Sequence, residues 1–395
     1  MTDETLVICF YCGKRKPRAE FSDEHIWPDA LGGDHVSQFW RTDDVCANCN
    51  SMSGVFVDGG FIRGWAGSAE RGMDVRQYMS LTDPLKIVLP LDYLGRLAHS
   101  AIQPDEVAEW WIGPCGATIV HFRPAETEEF LVSYLGGDPR AKRKRAGRAY
   151  ILLASQAEYW IIAELASFKR HFKRARRFVV NMDVPAKWTS FAQADRNDHS
   201  QSTDLEVLHM IQAAAKAGAS VPTQQVLRTD TGHRFLCKLG LAVGCKLFGS
   251  EFGNHVQGTQ LRQAFREADP IRRQQIPIRG SGYFNEPAQS PLAILRWPAG
   301  WVLIVQRLGR ALSLTIVTPS GKPMAVQITD DPDLTATLGS EYKDGLVWVT
   351  VPSLREAAGP IPMPDYAAHL IGEKFCTELS GLVAQRIDPA TLPAC

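Results

Sequence analysis

The 395-residue sequence lacks an excess of charge of either sign, since 43 Lys and Arg face 43 Asp and Glu. A neutral balance removes the simplest signature of a nucleic-acid or membrane-surface protein and moves the question to how the charges are distributed. No apolar run is long enough to span a bilayer: the most apolar stretch, Phe235 to Phe248, is interrupted by Lys238 and Lys246. Internal repeats and low-complexity tracts are missing, which argues against a solenoid. Residues 1–8 are short and carry acids, so no secretory leader is expected. Cysteine is sparse, and four of the nine fall in two Cys-x-x-Cys pairs. The other five (Cys115, Cys237, Cys245, Cys376 and Cys395) are scattered and odd in number. That pattern speaks for metal-bound thiols in a reducing, cytoplasmic setting and against a disulfide framework.

What is present is concentrated between Cys9 and Asp58. Cys9/Cys12 and Cys46/Cys49 can close a tetrahedral zinc site with four thiolates. Zinc held this way is worth about 10–16 kcal/mol at neutral pH, and it substitutes for the core that so short a finger cannot build. Glu24 and His25 lie between the pairs, and Asn50 follows the last cysteine directly. A closed zinc site would bring Asn50 near them. An acid, an imidazole and an amide oxygen together can hold one hard divalent cation, Mg²⁺ or Mn²⁺, beside a general base. His25 is the candidate base, because a neutral imidazole takes a proton near neutral pH. Glu24 and Asn50 Oδ1 are the candidate ligands of the ion. Adjacent side chains on a regular strand face opposite ways, so Glu24 and His25 cannot both aim at one point without a distortion. Asp43 is a candidate to orient His25 through its other ring nitrogen. Asp58 reads as a helix-terminal acid.

These residues resemble the HNH endonucleases, also called ββα-metal or His-Me finger nucleases, and within them the members with four zinc-binding cysteines. The matching positions are Cys9, Cys12, Glu24, His25, Pro28, Gly32, Gly33, Cys46, Cys49, Asn50 and Gly54, over roughly one sixth of the chain. Two positions depart from the family pattern: Glu24 stands where Asp is commoner, and an Arg-Thr-Asp-Asp run ending at Asp44 stands where Asn is frequent. The resemblance implies a finger with His25 on or at the end of its first strand and a local distortion at the acid. A turn is forced by Pro28 and Gly32–Gly33. A helix runs from Cys46 to about Phe56, ended by Asp58 and broken by Gly59–Gly60. It further implies metal-dependent phosphodiester hydrolysis leaving 5′-phosphate and 3′-hydroxyl ends, with DNA ahead of RNA as substrate. A role in antiphage defence follows by analogy alone. The alternative is a finger that keeps its zinc and has lost catalysis, in a nucleic-acid-binding or scaffold protein.

The rest of the chain reads as α+β: a zinc-bound ββα-metal finger, then a larger mixed α/β region with a helical segment and a C-terminal antiparallel β-rich part. The expected divisions are 1–70 for the finger, 71–204 for a mixed region, 205–276 for a helical segment, and 277–395 for a β-rich region ending in a helix. Strands are expected at Ala117–Phe122, Phe130–Leu135 and Tyr150–Ser155, and helices at Leu205–Ala217, Gly232–Phe248 and Gln257–Ala268. Short β-rich runs follow at Leu292–Trp297, Trp301–Gln306, Leu312–Val317, Ala325–Thr329 and Leu346–Val351, suggesting a meander before a last helix from about Tyr366 to Arg386. Between Asp138 and Arg177, twelve Lys and Arg face three acids, so a basic face is expected in a chain of zero net charge. Lys142, Arg143, Lys144 and Arg145 in a loop, with Lys169, Arg170, Lys173 and Arg174 around Phe172, are the candidate phosphate contacts. No membrane partner is expected. A protein partner or a second copy of the chain could dock on the C-terminal region.

Overall fold

A computed structural model describes residues 6–141, 147–180, 185–196, 202–284 and 290–395. The chain divides into two compact units, Met1–Ile62 with Arg228–Arg386, and Arg63–Leu227 with Ile387–Cys395. The cysteine-rich stretch therefore shares a core with a part of the chain more than 160 residues further on.

In the first unit, the antiparallel pair Leu6–Ile8 and Arg15–Pro17 frames the first two cysteines. Strands β1 (Phe21–His25) and β2 (Arg41–Cys46) pair antiparallel, with a register shift between Ser22 and Glu24. Helix α1 (Ala47–Ser53) follows the second strand at once. The Gly59–Gly60 break does not occur: the chain stays helical through a wider turn at Gly54–Asp58 and a further turn at Gly59–Ile62. Two glycines cost a helix about 1 kcal/mol each. Here both are buried, and the next residue, Phe61, stacks on Phe235 with ring centroids 4.8 Å apart, so tertiary packing outweighs local propensity.

Helix α2 (Thr231–Phe248) is buried along most of its length, and α3 (Val256–Arg266) packs beside it. Close approach fixes Gly244, where a Cβ would stand 2.2 Å from the Phe252 ring. A six-stranded antiparallel sheet completes the unit, in the order Gly280–Ser281, Pro323–Thr329, Ala311–Val317, Trp301–Leu308, Leu346–Val351, Glu356–Pro362. Trp301 to Val305 are buried without alternation, as befits a strand covered on both faces. The run Leu292–Trp297 is not a strand. Pro291–Leu295 forms a 3₁₀ turn opened by Ser290, whose side chain accepts from the Leu292 N–H. The last helix is two pieces, Met363–Leu370 and Thr377–Val383, separated where Gly372 takes a φ of +78°.

The second unit carries a seven-stranded mixed sheet in the order Asp195–Arg196, Arg176–Val179, Arg148–Leu152, Thr118–Pro124, Glu106–Ile112, Asp92–Leu97, Thr223–Gln224. Its first two pairings are parallel and the others antiparallel. Helices Glu158–His171 and Ser202–Ala217 supply apolar faces to it. Phe130–Leu135, expected as a strand, instead runs through a 3₁₀ turn at Glu129–Leu131 and further turns, with Val132 N–H donating to Glu129 O and Tyr134 N–H to Leu131 O. The expectation for two of the leftover cysteines is also corrected. Cys115 and Cys395 form a disulfide, because the tail folds back onto its own unit through Ile387 N–H to Gln77 O and Trp160 Nε1 to Pro393 O. Among the described residues, no helix is long and apolar enough to cross a membrane.

Candidate active site and zinc knuckle

The four cysteine sulfurs of Cys9, Cys12, Cys46 and Cys49 lie within 4.8 Å of one another, the arrangement a tetrahedral zinc site requires. The surroundings favour thiolate at Cys9, whereas the hydrogen bond with Cys9 and burial push the Cys49 thiol well up and burial raises Cys12. The Cys49 thiol holds Cys9 down to about 4 against the opposing effect of burial, assisted by the backbone N–H groups of Cys46, Cys12 and Tyr11. The Cys46 N–H donates to Cys9 Sγ at 3.3 Å. From α3, Arg266 Nη1 stands 3.8 Å from Cys49 Sγ, where a guanidinium offsets part of the charge of four thiolates.

The turn after β1 is set by its glycines. Gly32 adopts a φ of +95°, and a Cβ on Gly33 would lie 1.8 Å from the Trp27 carbonyl oxygen. Trp27 Nε1 and Thr350 Oγ1 both donate to Leu31 O, pinning the turn to the core. This turn returns two carboxylates to His25. Asp29 Oδ1 is 3.0 Å from Nδ1, and Asp34 Oδ1 is 3.2 Å from Nε2. Nε2 nonetheless makes no hydrogen bond among the described residues, and Asp34 is held by Arg41 Nη2 at 2.8 Å. Asp43 is not the carboxylate at His25: it pairs with Arg18 on the exposed side of β2. Burial lifts Asp29 above the usual carboxylate range, with His25 opposing and Asp34 reinforcing the shift. His25, Asp29 and Asp34 also bring three potential ligand atoms within 4.8 Å, a second place with metal-ligand chemistry.

Glu24 and His25 separate as a strand demands. His25 keeps about a fifth of its side-chain surface open, whereas Glu24 turns inward and is 4% exposed. Tyr11 OH donates to Glu24 Oε1 at 2.8 Å, and Lys238 Nζ reaches the same oxygen at 2.8 Å. Lys238 also donates to Asp58 Oδ2 at 2.7 Å. The ammonium is fully buried. Burial pushes its pKa down, but Asp58 and Glu24 more than reverse this, so it remains a cation. Burial pushes Asp58 up to about 6, against the pull of Lys238 and with Glu24 adding to the rise.

Asn50, one turn into α1, donates through Nδ2 to Ser22 Oγ at 3.1 Å and to Asp23 O at 2.8 Å. A carbonyl oxygen can only accept, so these bonds decide which way the amide faces and leave Oδ1 as the free acceptor. The structure thus places Asn50 against the residue just before Glu24, and the register shift in β1 falls immediately before the acid.

Residues 9–66 match the HNH endonuclease family model. No curated protein and no solved structure matches the chain. The HNH segment contains the four cysteines, Glu24, His25 and Asn50, so nuclease chemistry is what the likeness indicates. Lys238, which touches Glu24, lies outside it. In the sequence the sign of that lysine is its isolation within the apolar run Phe235 to Phe248.

The basic stretches lie in the second unit. Lys142, Arg143, Lys144 and Arg145 fall outside the described residues. Lys169 Nζ donates to Phe191 O, and Arg174 Nη1 donates to Pro139 O at 2.6 Å, so both are partly engaged by the protein's own carbonyls. Arg170 and Lys173 are exposed. Phe168 and Phe172 are core residues and present no ring to a nucleic-acid base.

Proposed function

We propose that the chain is a divalent-ion-dependent endonuclease that hydrolyses phosphodiester bonds, DNA ahead of RNA, with His25 as general base. The observation that carries this reading is the state of the His25 ring. Nδ1 faces Asp29, which favours the tautomer with its proton there, and Nε2, buried 3.2 Å from Asp34 Oδ1, makes no hydrogen bond among the described residues. Such a nitrogen can take a proton from a water that reaches it beside a bound phosphate. A cation seated on His25, Asp29 and Asp34 would consume that nitrogen, so the reading keeps the ring for proton transfer.

The donors that would hold Mg²⁺ or Mn²⁺ are Glu24 and Asn50. Their chemistry fits a hard ion, since each offers an oxygen. Lys238 and Tyr11 both occupy Oε1 of Glu24, so Oε2 is the oxygen outside those bonds. Asn50 has its amide nitrogen committed to Ser22 and Asp23, which leaves its oxygen as the acceptor end of the amide. When bound, the ion neutralises charge on the phosphate and on the departing 3′ oxygen. Zinc on the cysteines would keep a structural role: it ties the loop before β1 to the start of α1, and so carries Asn50 to β1.

Arg170 and Lys173 in the second unit are proposed phosphate contacts, and a role in antiphage defence remains a proposal from the layout. The test is plasmid nicking with Mg²⁺ or Mn²⁺ by the natural chain and by His25→Ala, with zinc content confirmed in both. Loss of nicking in the variant is expected. Equal nicking would refute His25 as the base. The absence of any nicking with DNA, RNA or branched substrates would favour the alternative of a catalytically silent zinc protein.

A further inference from the structure

We infer that Lys238 is a positioning residue for Glu24, supplied by a helix outside the HNH segment. The inference rests on the proposed reading of Glu24 as an ion ligand. Lys238 sits in α2 between apolar neighbours, with Phe235, Leu236, Cys237, Leu239 and Leu241 all fully buried. An apolar side chain would pack there without the cost of desolvating an ammonium, and buried ion pairs are often replaceable by such residues without loss of stability. Packing alone therefore does not account for a charge at this point. Its contacts do. Nζ lies 2.8 Å from Glu24 Oε1 and 2.7 Å from Asp58 Oδ2, and 5.6 Å above the Tyr11 ring.

Two donors on one oxygen, Lys238 and the Tyr11 hydroxyl at 2.8 Å, fix the rotation of the Glu24 carboxylate and leave its other oxygen to a ligand. Charge agrees with geometry. One ammonium faces two carboxylates, and Asp58 Oδ1 is buried without a hydrogen-bond partner among the described residues, so the cluster keeps a negative residue of charge that suits a cation. The helix is held in register by Arg234, one turn earlier, whose guanidinium donates to Phe56 O at 3.0 Å and to Phe265 O at 2.7 Å.

The test measures Mn²⁺ binding directly, by the electron paramagnetic resonance of free Mn²⁺, on the full chain carrying zinc. The natural chain, Glu24→Gln, Lys238→Arg and Lys238→Met are compared, with zinc content and the thermal midpoint as controls of folding. Because Lys238→Met strands two buried acids, Lys238→Met/Asp58→Asn carries the comparison if the single variant fails to fold. One Mn²⁺ per natural chain is expected, lost in Glu24→Gln. Binding should weaken about ten- to a hundredfold in the methionine variant, the usual effect of removing a group that orients a ligand, and recover in part with arginine. A folded, zinc-loaded methionine variant that binds Mn²⁺ as tightly as the natural chain overturns the inference and leaves the nuclease reading standing. A natural chain that binds no Mn²⁺, or binds it undiminished in Glu24→Gln, overturns the assignment of Glu24 and the inference with it.

Discussion

Asp58→Asn should steepen the loss of stability on the acid side of neutrality. Asp58 has 8% of its surface open and a pKa of about 6 against a reference of 3.8. A carboxyl raised in the folded state binds its proton more tightly there than in the unfolded chain. Its contribution to stability is thus complete below 3.8 and declines as pH rises to about 6. Moving the carboxyl from 3.8 to about 6 corresponds to about 3 kcal/mol, at about 1.36 kcal/mol for each tenfold change in proton affinity. Asparagine has nearly the same shape and no titration, and its oxygen can still accept from Lys238. The stability difference between natural chain and variant should therefore change by about 3 kcal/mol between pH 3.5 and 7, in favour of the variant at the higher pH. Urea midpoints followed by tryptophan fluorescence, without added divalent ions, measure it. Zinc content is followed at each pH, and only points at which both proteins keep their zinc enter the difference. Parallel curves across this range would refute the claim that Asp58 is buried beside Lys238 and Glu24.

Three further outcomes are expected. Asp29→Asn should lower the cleavage rate by at least about tenfold with little change in substrate affinity, because the asparagine no longer stabilises the protonated ring after proton transfer; a plasmid-nicking time course measures it. Gly33→Ala should destabilise the first unit by about 2 kcal/mol or more, since the added carbon would meet the Trp27 carbonyl at 1.8 Å, and the thermal midpoint should fall accordingly. Arg266→Ala should speed zinc release to a chromogenic chelator several-fold with the four cysteines intact, as the guanidinium 3.8 Å from Cys49 Sγ is lost.

The finger was legible because its chemistry is local and discrete. Cys-x-x-Cys spacing and the Gly32–Gly33 turn are short-range constraints, and the folded chain gathers the four sulfurs and closes the turn accordingly. The helices of the first unit were legible from long apolar periodicity. Asp43 and Asp29 show what was not. Asp29 lies in the turn and Asp43 on the strand that follows, and only the closed turn determines which of them returns to the imidazole. The continuation of α1 through Gly59–Gly60 was hidden for a similar reason, since the stack of Phe61 on Phe235 overrides the local preference. Lys238 was hidden more deeply, since its counter-charges are 180 and more residues away in sequence. Cys395 gave no sign of its partner 280 residues earlier, because nothing in the sequence reports a returning tail.

Arg234, Lys238, Arg262 and Arg266 reach the finger at Phe56 O, Glu24 with Asp58, Phe10 O and Cys49 Sγ respectively. Grafting the finger onto another scaffold would strand those acceptors. A transplant would need the helical pair as well, and a minimal folded cassette carrying the finger would have to be assembled from two distant stretches of the gene.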